Sequence, residues 1–247
     1  MSEHTPSIPS VSVRYAQDGS STRSNSMGMR PMQERVWQKR GEQYLLIKSP
    51  PASGKSRALM FIVLDKLHNQ KVKQAIIVVP EKTIGASFHD EPLSQFGFWT
   101  DWTVEPKWNL CDSPGTDNGG KVDAVKKFLE SGDKVLVCTH ASVRFAVEKF
   151  GVEAFDERLI AVDEFHHVSV SEDNRLGEYV RQLIERDKTH LIAMTGSYFR
   201  GDAAAVLMPE DERRFVTVTY TYYEQLSGYQ HLKKLDIGFY FYSGSYL

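Results

Sequence analysis

Several features that would place this chain in a specialised class are scarce or missing. Its 247 residues include two cysteines, Cys111 and Cys138, and no C-x-x-C pair. A disulfide framework or a zinc site is therefore not expected, and a reducing cytoplasm fits this composition. No apolar run approaches the ~20 residues that a membrane helix needs. The N-terminus lacks the basic-then-apolar pattern of a signal peptide, and no internal repeat is visible.

Charge is also nearly balanced. The formal net charge is −2, so the chain has no overall basic surface for nucleic acid. This argues against a purely electrostatic, histone-like binder. The net charge is still compatible with a protein that contacts the nucleic-acid backbone only locally. The hydrophobic share of 41% is sufficient for a core, and the length permits one large or two small domains.

The most informative segment that is present is Ser49-Pro-Pro-Ala-Ser-Gly-Lys-Ser56. It lies between an apolar run at 44–47, typical of a strand, and an apolar-periodic segment at 58–67, typical of a helix. This order is the setting of a phosphate-binding loop, in which amides at a helix N-terminus face a polyphosphate. Ser49 replaces the usual Gly or Ala, but it is small enough for the loop to close. The residues expected to bind the nucleotide are Pro51, Ala52, Ser53, Gly54, Lys55 and Ser56.

A second signal lies about a hundred residues further on, where Asp163 and Glu164 follow the apolar run 159–162. Acids at the carboxyl end of a buried strand lie where open α/β sheets bind ligands. Asp163 is placed to hold Mg²⁺ opposite Ser56, and Glu164 is placed to deprotonate the attacking water. Either motif alone would also fit an ordinary strand end. Together they predict an ATP site in which Lys55, Asp163 and Glu164 are catalytic.

Apolar runs and helical periods alternate along most of the chain, which predicts an α/β fold with a mostly parallel sheet and helices on both faces. Strands are predicted at 44–48, 75–79, 98–104, 134–138, 159–162, 191–194 and 216–223. Helices are predicted at 54–68, 122–129, 142–150 and 172–186, with another near Ile84. The aromatic tail, 228–247, is interpreted as a final strand packing on the sheet, with a base-stacking surface as the alternative.

Five short segments resemble motifs of superfamily 2 DExH-box helicases and DNA translocases. Residues 163–166, Asp-Glu-Phe-His, are similar to the DExH box, and residues 30–33, Arg-Pro-Met-Gln, to the Arg-Pro-x-Gln element. Residues 78–83, 137–140 and 194–197 are similar to motifs Ia, Ib and III, the last with departures at its final two positions. Their order and spacing match the first RecA-like motor domain over about residues 28–220.

The resemblance implies roles for individual residues. Gln33, with Arg30, would read the adenine, and ATP would be bound with Mg²⁺. Lys82, Thr83, Thr139 and His140 would line the nucleic-acid path. His166, Thr195 and Ser197 would couple the ATP site to nucleic-acid binding and to the partner domain. The implied function is an ATP-dependent helicase or translocase, with DNA favoured over RNA as the nucleic-acid partner.

The resemblance also implies an organisation. Residues 1–27 are predicted to be a disordered tail, 28–226 the RecA-like ATP-binding domain, and 227–247 a strand or linker toward a second motor domain in cis. Superfamily 2 motors take arginine fingers from that second domain, and no such element is visible here. The chain alone is therefore expected to bind Mg·ATP weakly and to hydrolyse it slowly or not at all.

Two alternatives remain open from the sequence. One is the motor ATPase of a restriction or packaging system, which would share the same ATP motifs. The other is a non-catalytic nucleotide-binding scaffold, whose nucleotide affinity would not respond to nucleic acid. The presence of Glu164 argues against the scaffold, because a module without turnover commonly loses its catalytic base.

Overall fold

A six-stranded, all-parallel sheet lies at the centre of the chain. The computed structural model describes residues 10–13, 24–81, 85–112, 118–165, 175–196, 209–228 and 235–238. The strands are β1 (Ser10–Val13), β2 (Tyr44–Lys48), β3 (Ala75–Val79), β4 (Val135–Thr139), β5 (Leu159–Val162), β6 (His190–Thr195), β7 (Val216–Thr219) and β8 (Leu235–Gly238). The helices are α1 (Pro31–Trp37), α2 (Lys55–Asn69), α3 (Asn118–Glu130), α4 (His140–Phe150), α5 (Arg175–Arg186), α6 (Pro209–Glu212) and α7 (Tyr222–Gly228).

Helices cover both faces of this sheet, as the sequence predicts. Successive residues of a strand point to opposite faces, so Leu45 joins one apolar cluster and Leu46 the other. The first cluster includes residues of α1 and α2, and the second includes residues of α3, α4 and α5. Because both faces are buried, the central strands are continuous apolar runs, and all five residues of β3 are buried.

The strand order positions the functional site. The sheet runs β4-β3-β5-β6-β2-β7, so β5 and β6 lie between β2 and β3. All six strands are parallel, and their carboxyl ends therefore meet at one edge. The loop after β2 and the acids after β5 emerge at that edge, on either side of β6. Ligands bind at such reversals of strand order in open α/β sheets.

One predicted strand is wrong, and another is shorter in the structure than predicted. Residues 98–104 form no strand, and only Trp102 makes an isolated bridge, to Glu91. Their aromatic side chains cover helices instead, since Phe98 packs edge-on against Trp37 and Phe61. The prediction at 216–223 holds only as far as Thr219, because α7 begins three residues later.

Reciprocal hydrogen bonds explain why the last strand stops. The Thr221 hydroxyl accepts from Glu224 N at 3.2 Å, and a Glu224 carboxylate oxygen accepts from Thr221 N at 2.8 Å. This capping box starts α7, and its signature, Thr-x-x-Glu, is present in the sequence. It overrides the β-propensity of the neighbouring tyrosines.

The two strands nearest the chain ends pair with each other. β1 and β8 form a separate antiparallel ribbon, with Val11 opposite Ile237. The strand interpreted from the aromatic tail thus exists at 235–238, but it pairs with β1 rather than with the central sheet. The helix expected near Ile84 falls on residues outside the described ranges, as do positions 172–174 of the helix expected at 172–186. No helix within the described ranges has both the length and the apolar character to cross a membrane.

At the amino-terminal edge of the sheet, a buried lysine contacts a histidine. The Lys66 ammonium donates to Glu42 O at 2.7 Å and lies 3.1 Å from His190 Nδ1. Burial, and to a smaller extent the charge of Lys66, lowers the pKa of His190 to about 4. Burial likewise lowers the pKa of Lys66 to about 8. His190 therefore accepts from Lys66 as a neutral ring.

We expect acid to destabilise the chain through His190. An unfolded histidine binds its proton near pH 6.5, whereas the folded ring resists protonation until about pH 4, so stability falls as the pH drops through that window. Urea unfolding is measured at pH 7 and at pH 5. Between these pH values, the free energy of unfolding should fall by ~1 kcal/mol less in His190→Gln than in the wild type. His68→Gln, at an exposed histidine of α2, is the control. If the free energy of unfolding falls equally in His190→Gln and in the wild type between pH 7 and pH 5, His190 does not have this role.

Candidate nucleotide site

The loop between β2 and α2 has the backbone geometry of a phosphate cradle. Gly54, immediately before α2, has a φ of 91°, which favours glycine, and a Cβ there would lie 2.7 Å from Gln33 Nε2. Ala52 also has a positive φ, of 59°. Ser49 is fully buried, and its hydroxyl donates to Ser53 Oγ at 2.6 Å. Ser49, which replaces the usual Gly or Ala, therefore closes the loop through a hydrogen bond that neither of those residues could make.

Lys55 lies at the centre of this loop. Its side chain is 8% exposed, and Nζ donates to the carbonyl oxygens of Ser49 and Pro50, each at 3.2 Å. Nζ is also 3.9 Å from Glu164 Oε1. The ammonium thus joins the loop after β2 to the acids after β5, which the sequence could only predict from motif order.

The two acids occupy different environments. Asp163 is 5% exposed, and one of its carboxylate oxygens accepts from Glu164 N at 2.9 Å. Burial, and secondarily the charge of Glu164, raise the pKa of Asp163 to about 6, against an opposing effect of Lys55. Glu164 is less buried and adopts a left-handed backbone with a φ of 47°. Such a conformation costs of order 1 kcal/mol in a non-glycine residue and is typical of functional positions.

Gly196, just after β6, completes the cluster. Its N–H donates to Glu164 Oε2 at 3.3 Å. A Cβ at this position would lie 3.3 Å from Lys55 Nζ and 3.5 Å from Glu164 Oε1. The small departure from the motif III pattern at Gly196 therefore keeps the lysine and the glutamate close together.

Gln33 connects the start of α1 to the loop. Its side-chain oxygen accepts from Arg30 N at 2.9 Å, and its amide donates to Gly54 O at 3.2 Å. The side chain is 1% exposed. The structure therefore brings Arg30 and Gln33 to the phosphate loop, while adenine reading by Gln33 stays a prediction.

The residues predicted to face nucleic acid, and those predicted to couple the ATP site to nucleic-acid binding, are partly described. Thr139 caps α4 by accepting from Ser142 N at 3.3 Å, and His140 Nε2 donates to Asp163 O at 2.9 Å. Thr195 O accepts from Ser49 N at 3.1 Å, which ties β6 to the loop. The remaining predicted positions, Lys82, Thr83, His166 and Ser197, lie outside the described residues.

Sequence reasoning missed a second attachment of the loop. Gln225 in α7 donates to Pro51 O at 3.2 Å. Arg35 in α1 donates to Thr219 O at 2.8 Å and forms an ion pair of 2.7 Å with Glu224. The hydrogen bond from Arg35 is the largest cause that lowers the pKa of Glu224 to about 2. The Thr-x-x-Glu cap is the one signal in the sequence that could have indicated this helix.

These features define a class. A parallel sheet with a strand–loop–helix phosphate cradle, and acids following a neighbouring strand, is the architecture of RecA-like P-loop ATPases. The chain belongs to the DEAD/DEAH box helicase family, whose model matches residues 30–204. Membership of this family implies the use of ATP.

Known proteins agree with this placement. YeeB of Bacillus subtilis (strain 168), which is named as an ATP-dependent helicase, is 53% identical over 236 residues. The match covers 96% of this chain and 39% of YeeB, so the chain spans less than half of that relative.

Two solved structures share the fold at low sequence identity. The Hef helicase domain of Pyrococcus furiosus has a TM-score of 0.50 and 17% identity, over 76% of this chain and 37% of its own. The DUF1998 helicase MrfA, bound to DNA, has a TM-score of 0.53 and 14% identity, over 86% of this chain and 30% of its own. The predicted RecA-like fold is confirmed.

Proposed function

We propose that this chain is the ATP-binding motor domain of an ATP-dependent DNA helicase or translocase. The observation that carries the proposal is the cluster formed by Lys55, Glu164 and Gly196. It places a buried ammonium, a carboxylate and a backbone amide from three separate loops at one edge of the sheet. The naming of YeeB and the DNA bound to MrfA support the choice of reaction and of nucleic acid.

The residues at this edge of the sheet have separate roles in this proposal. Lys55 and the loop amides bind the β- and γ-phosphates, and Gln33 with Arg30 contacts the adenine. Ser56 and Asp163 would hold Mg²⁺, which would neutralise charge on the phosphates when bound. Glu164 positions the attacking water and accepts its proton.

The donor set near the loop fits magnesium. Within the described ranges, no three side chains of His, Cys, Asp or Glu come together as a metal cage. Mg²⁺ does not need one, because it is usually held by one or two carboxylates together with substrate phosphates and water. The carboxylate of Asp163 is buried and feels the charge of Lys55, and Ser56 follows Lys55 at the start of α2, so the two residues would provide such a partial site.

The nucleic-acid side of the site is proposed to run along Lys82, Thr83, Thr139 and His140. The hydrogen bond from His140 to Asp163 O supports this, because it joins the start of α4 directly to the acid motif. We propose that three residues couple the nucleotide state of the ATP site to nucleic-acid binding and to the partner domain: His166, Thr195 and Ser197. A second RecA-like domain in cis would supply the transition-state arginines, which are worth about 10³–10⁵ in rate in other phosphoryl-transfer enzymes.

Replacing Glu164 by glutamine tests the catalytic assignment. In the longer polypeptide that contains this chain, DNA-stimulated ATP turnover should fall at least ~100-fold, because the base is lost. Nucleotide affinity should stay within ~3-fold, since glutamine keeps the shape and can still accept from Gly196 N. Turnover is measured by phosphate release, and affinity by titration with a fluorescent ATP analogue.

Glu157→Gln is a matched control. Glu157 also has a positive φ, of 59°, but its ion pair with Lys73 lies at the amino-terminal edge of the sheet. The control should leave turnover unchanged. If Glu164→Gln turns over as fast as the wild type, Glu164 is not the base. Nucleotide binding without any response to DNA would instead indicate a scaffold.

A further inference from the structure

The peptide group between Asp163 and Glu164 is held at both of its ends. Its N–H, which belongs to Glu164, donates to a carboxylate oxygen of Asp163 at 2.9 Å. Its carbonyl oxygen, which belongs to Asp163, accepts from His140 Nε2 at 2.9 Å. A carbonyl oxygen can only accept, so the Nε2 atom of His140 carries the proton. The two hydrogen bonds together fix the plane of the peptide group that leads into Glu164.

The orientation of this peptide group decides where the side chain of Glu164 points. The angle φ is the rotation about the bond from the Glu164 nitrogen to its Cα, so with the peptide plane fixed it sets the position of Cβ. Its value of 47° lies in the left-handed region, which is unfavourable for a residue with a side chain. Such a backbone persists only where the surrounding structure determines it. His140 supplies one of the contacts that do so.

The other contacts hold the beginning of this turn and the tip of the glutamate. On the strand side, Asp163 N donates to Val78 O at 2.8 Å, which anchors the turn to β3. At the carboxylate, Gly196 N is 3.3 Å from Glu164 Oε2, and Lys55 Nζ is 3.9 Å from Oε1. Both distances are longer than an ordinary charge-assisted hydrogen bond, so these contacts direct the carboxylate only weakly. The backbone therefore sets most of its direction.

His140 is itself held in place, because it is the first residue of α4 and the start of that helix is capped. The Thr139 hydroxyl accepts from Ser142 N at 3.3 Å and lies 3.0 Å from the Ser142 hydroxyl. Ser142 is buried. A capped first turn gives the imidazole a fixed base from which it reaches the carboxyl end of β5.

We propose that His140 is a positioning residue for the catalytic base. Its hydrogen bond to the peptide group 163–164 directs the Glu164 carboxylate toward the attacking water. This inference rests on the proposed function, in which Glu164 is that base. The helicase motifs place His140 beside the nucleic-acid path, and the hydrogen bond adds a role inside the ATP site. Loss of the bond should therefore lower kcat for ATP without weakening nucleotide binding, because His140 acts on the base and not on the phosphate loop.

Two amide substitutions of different length test the proposal in the longer polypeptide that contains this chain. His140→Gln can place a side-chain N–H near the position of Nε2, whereas the shorter His140→Asn cannot reach Asp163 O. At saturating ATP and DNA, kcat should fall at least ~10-fold in His140→Asn but stay within ~3-fold of the wild type in His140→Gln. His140→Ala, which has no donor, should match His140→Asn.

Binding is measured with the same variants. The KM for ATP and the DNA concentration that gives half-maximal stimulation should stay within ~3-fold of the wild type in all three. His89→Asn is the control, because this histidine is 60% exposed and lies beside Asp112, and it should leave turnover unchanged. Thermal melts show which variants are folded.

A double substitution distinguishes positioning from general support of the fold. If His140 acts through Glu164, adding His140→Asn to Glu164→Gln should not slow the residual turnover any further. A role in the fold alone would instead lower that residual turnover by the same factor as in the wild type. Additive effects of the two substitutions would therefore overturn the proposal.

The remaining outcomes separate a failure of this inference from a failure of the proposed function. Unchanged kcat in folded His140→Asn or His140→Ala would overturn the inference. An equal fall of kcat in His140→Asn and His140→Gln would also overturn it, because the reach of the donor would not matter. Weaker DNA binding with unchanged kcat at saturating DNA would assign His140 to nucleic-acid contact alone. If Glu164→Gln turns over as fast as the wild type, the proposed function itself fails, and this inference with it.

Discussion

Replacing Lys55 by alanine should weaken the binding of Mg·ATP and Mg·ADP by at least ~100-fold, because two or more charge-assisted hydrogen bonds to phosphate are lost. The ammonium is buried and held by the carbonyls of Ser49 and Pro50, so it is already positioned at the loop. Loss of its charge also leaves Glu164 to repel the phosphates. Titration calorimetry with both nucleotides measures the effect.

The control for Lys55→Ala is Lys126→Ala. Lys126 is an exposed lysine of α3 that pairs with Glu130 at 3.8 Å, and its removal should not change nucleotide affinity. Circular dichroism melts of both variants show whether the fold is retained. Unchanged affinity in a folded Lys55→Ala variant would remove the phosphate-loop assignment and the proposed function that depends on it.

Replacing Asp163 by asparagine should stabilise the fold at neutral pH while it abolishes turnover. The folded carboxyl has a pKa of about 6, above the ordinary value of 3.8. Between these values the folded state binds more protons, so the wild type loses stability as the pH rises from 4 to 7. Asparagine has no charge to bury. Its stability relative to the wild type should therefore rise by ~2 kcal/mol between pH 4 and pH 7.5.

Thermal melts at the two pH values measure this difference, which corresponds to ~4–8 °C for a domain of this size. Asp156→Asn is a control with the opposite sign. The hydrogen bonds from Arg186, both 2.7 Å, lower the pKa of Asp156, so its loss should destabilise the fold at pH 7.5. If Asp163→Asn is no more stable than the wild type at pH 7.5, the carboxylate is not strained by burial.

The predicted parallel sheet follows from strong local signals. Strands β2, β3 and β5 have the predicted limits because each is a short, uninterrupted apolar run next to turn residues. The phosphate loop and the acid motif could be located for the same reason. Both directly follow such strands, and parallel strands bring their carboxyl ends to one edge.

The errors arise where tertiary contacts decide the structure. The aromatic residues of 98–104 have strand-like composition, but Trp37 and Phe61 give Phe98 a better place to be buried. The contact between Gly28 and Phe96 joins segments far apart in the chain, and no local pattern encodes it. The attachment of Gln225 to the phosphate loop could not be predicted for the same reason, since its partner, Pro51 O, is defined only by the fold.

The attachment of α7 to the phosphate loop has a mechanical consequence. The tip of the loop is held by Gln225 at Pro51, and its end is held by Gln33 at Gly54. Arg35 joins α1 to α7, so both attachments belong to one connected frame. Coupling between sites is reciprocal in free energy. A force that displaces α7 would therefore change the affinity of the loop for the nucleotide. Nucleotide binding would oppose that displacement with the same coupling free energy.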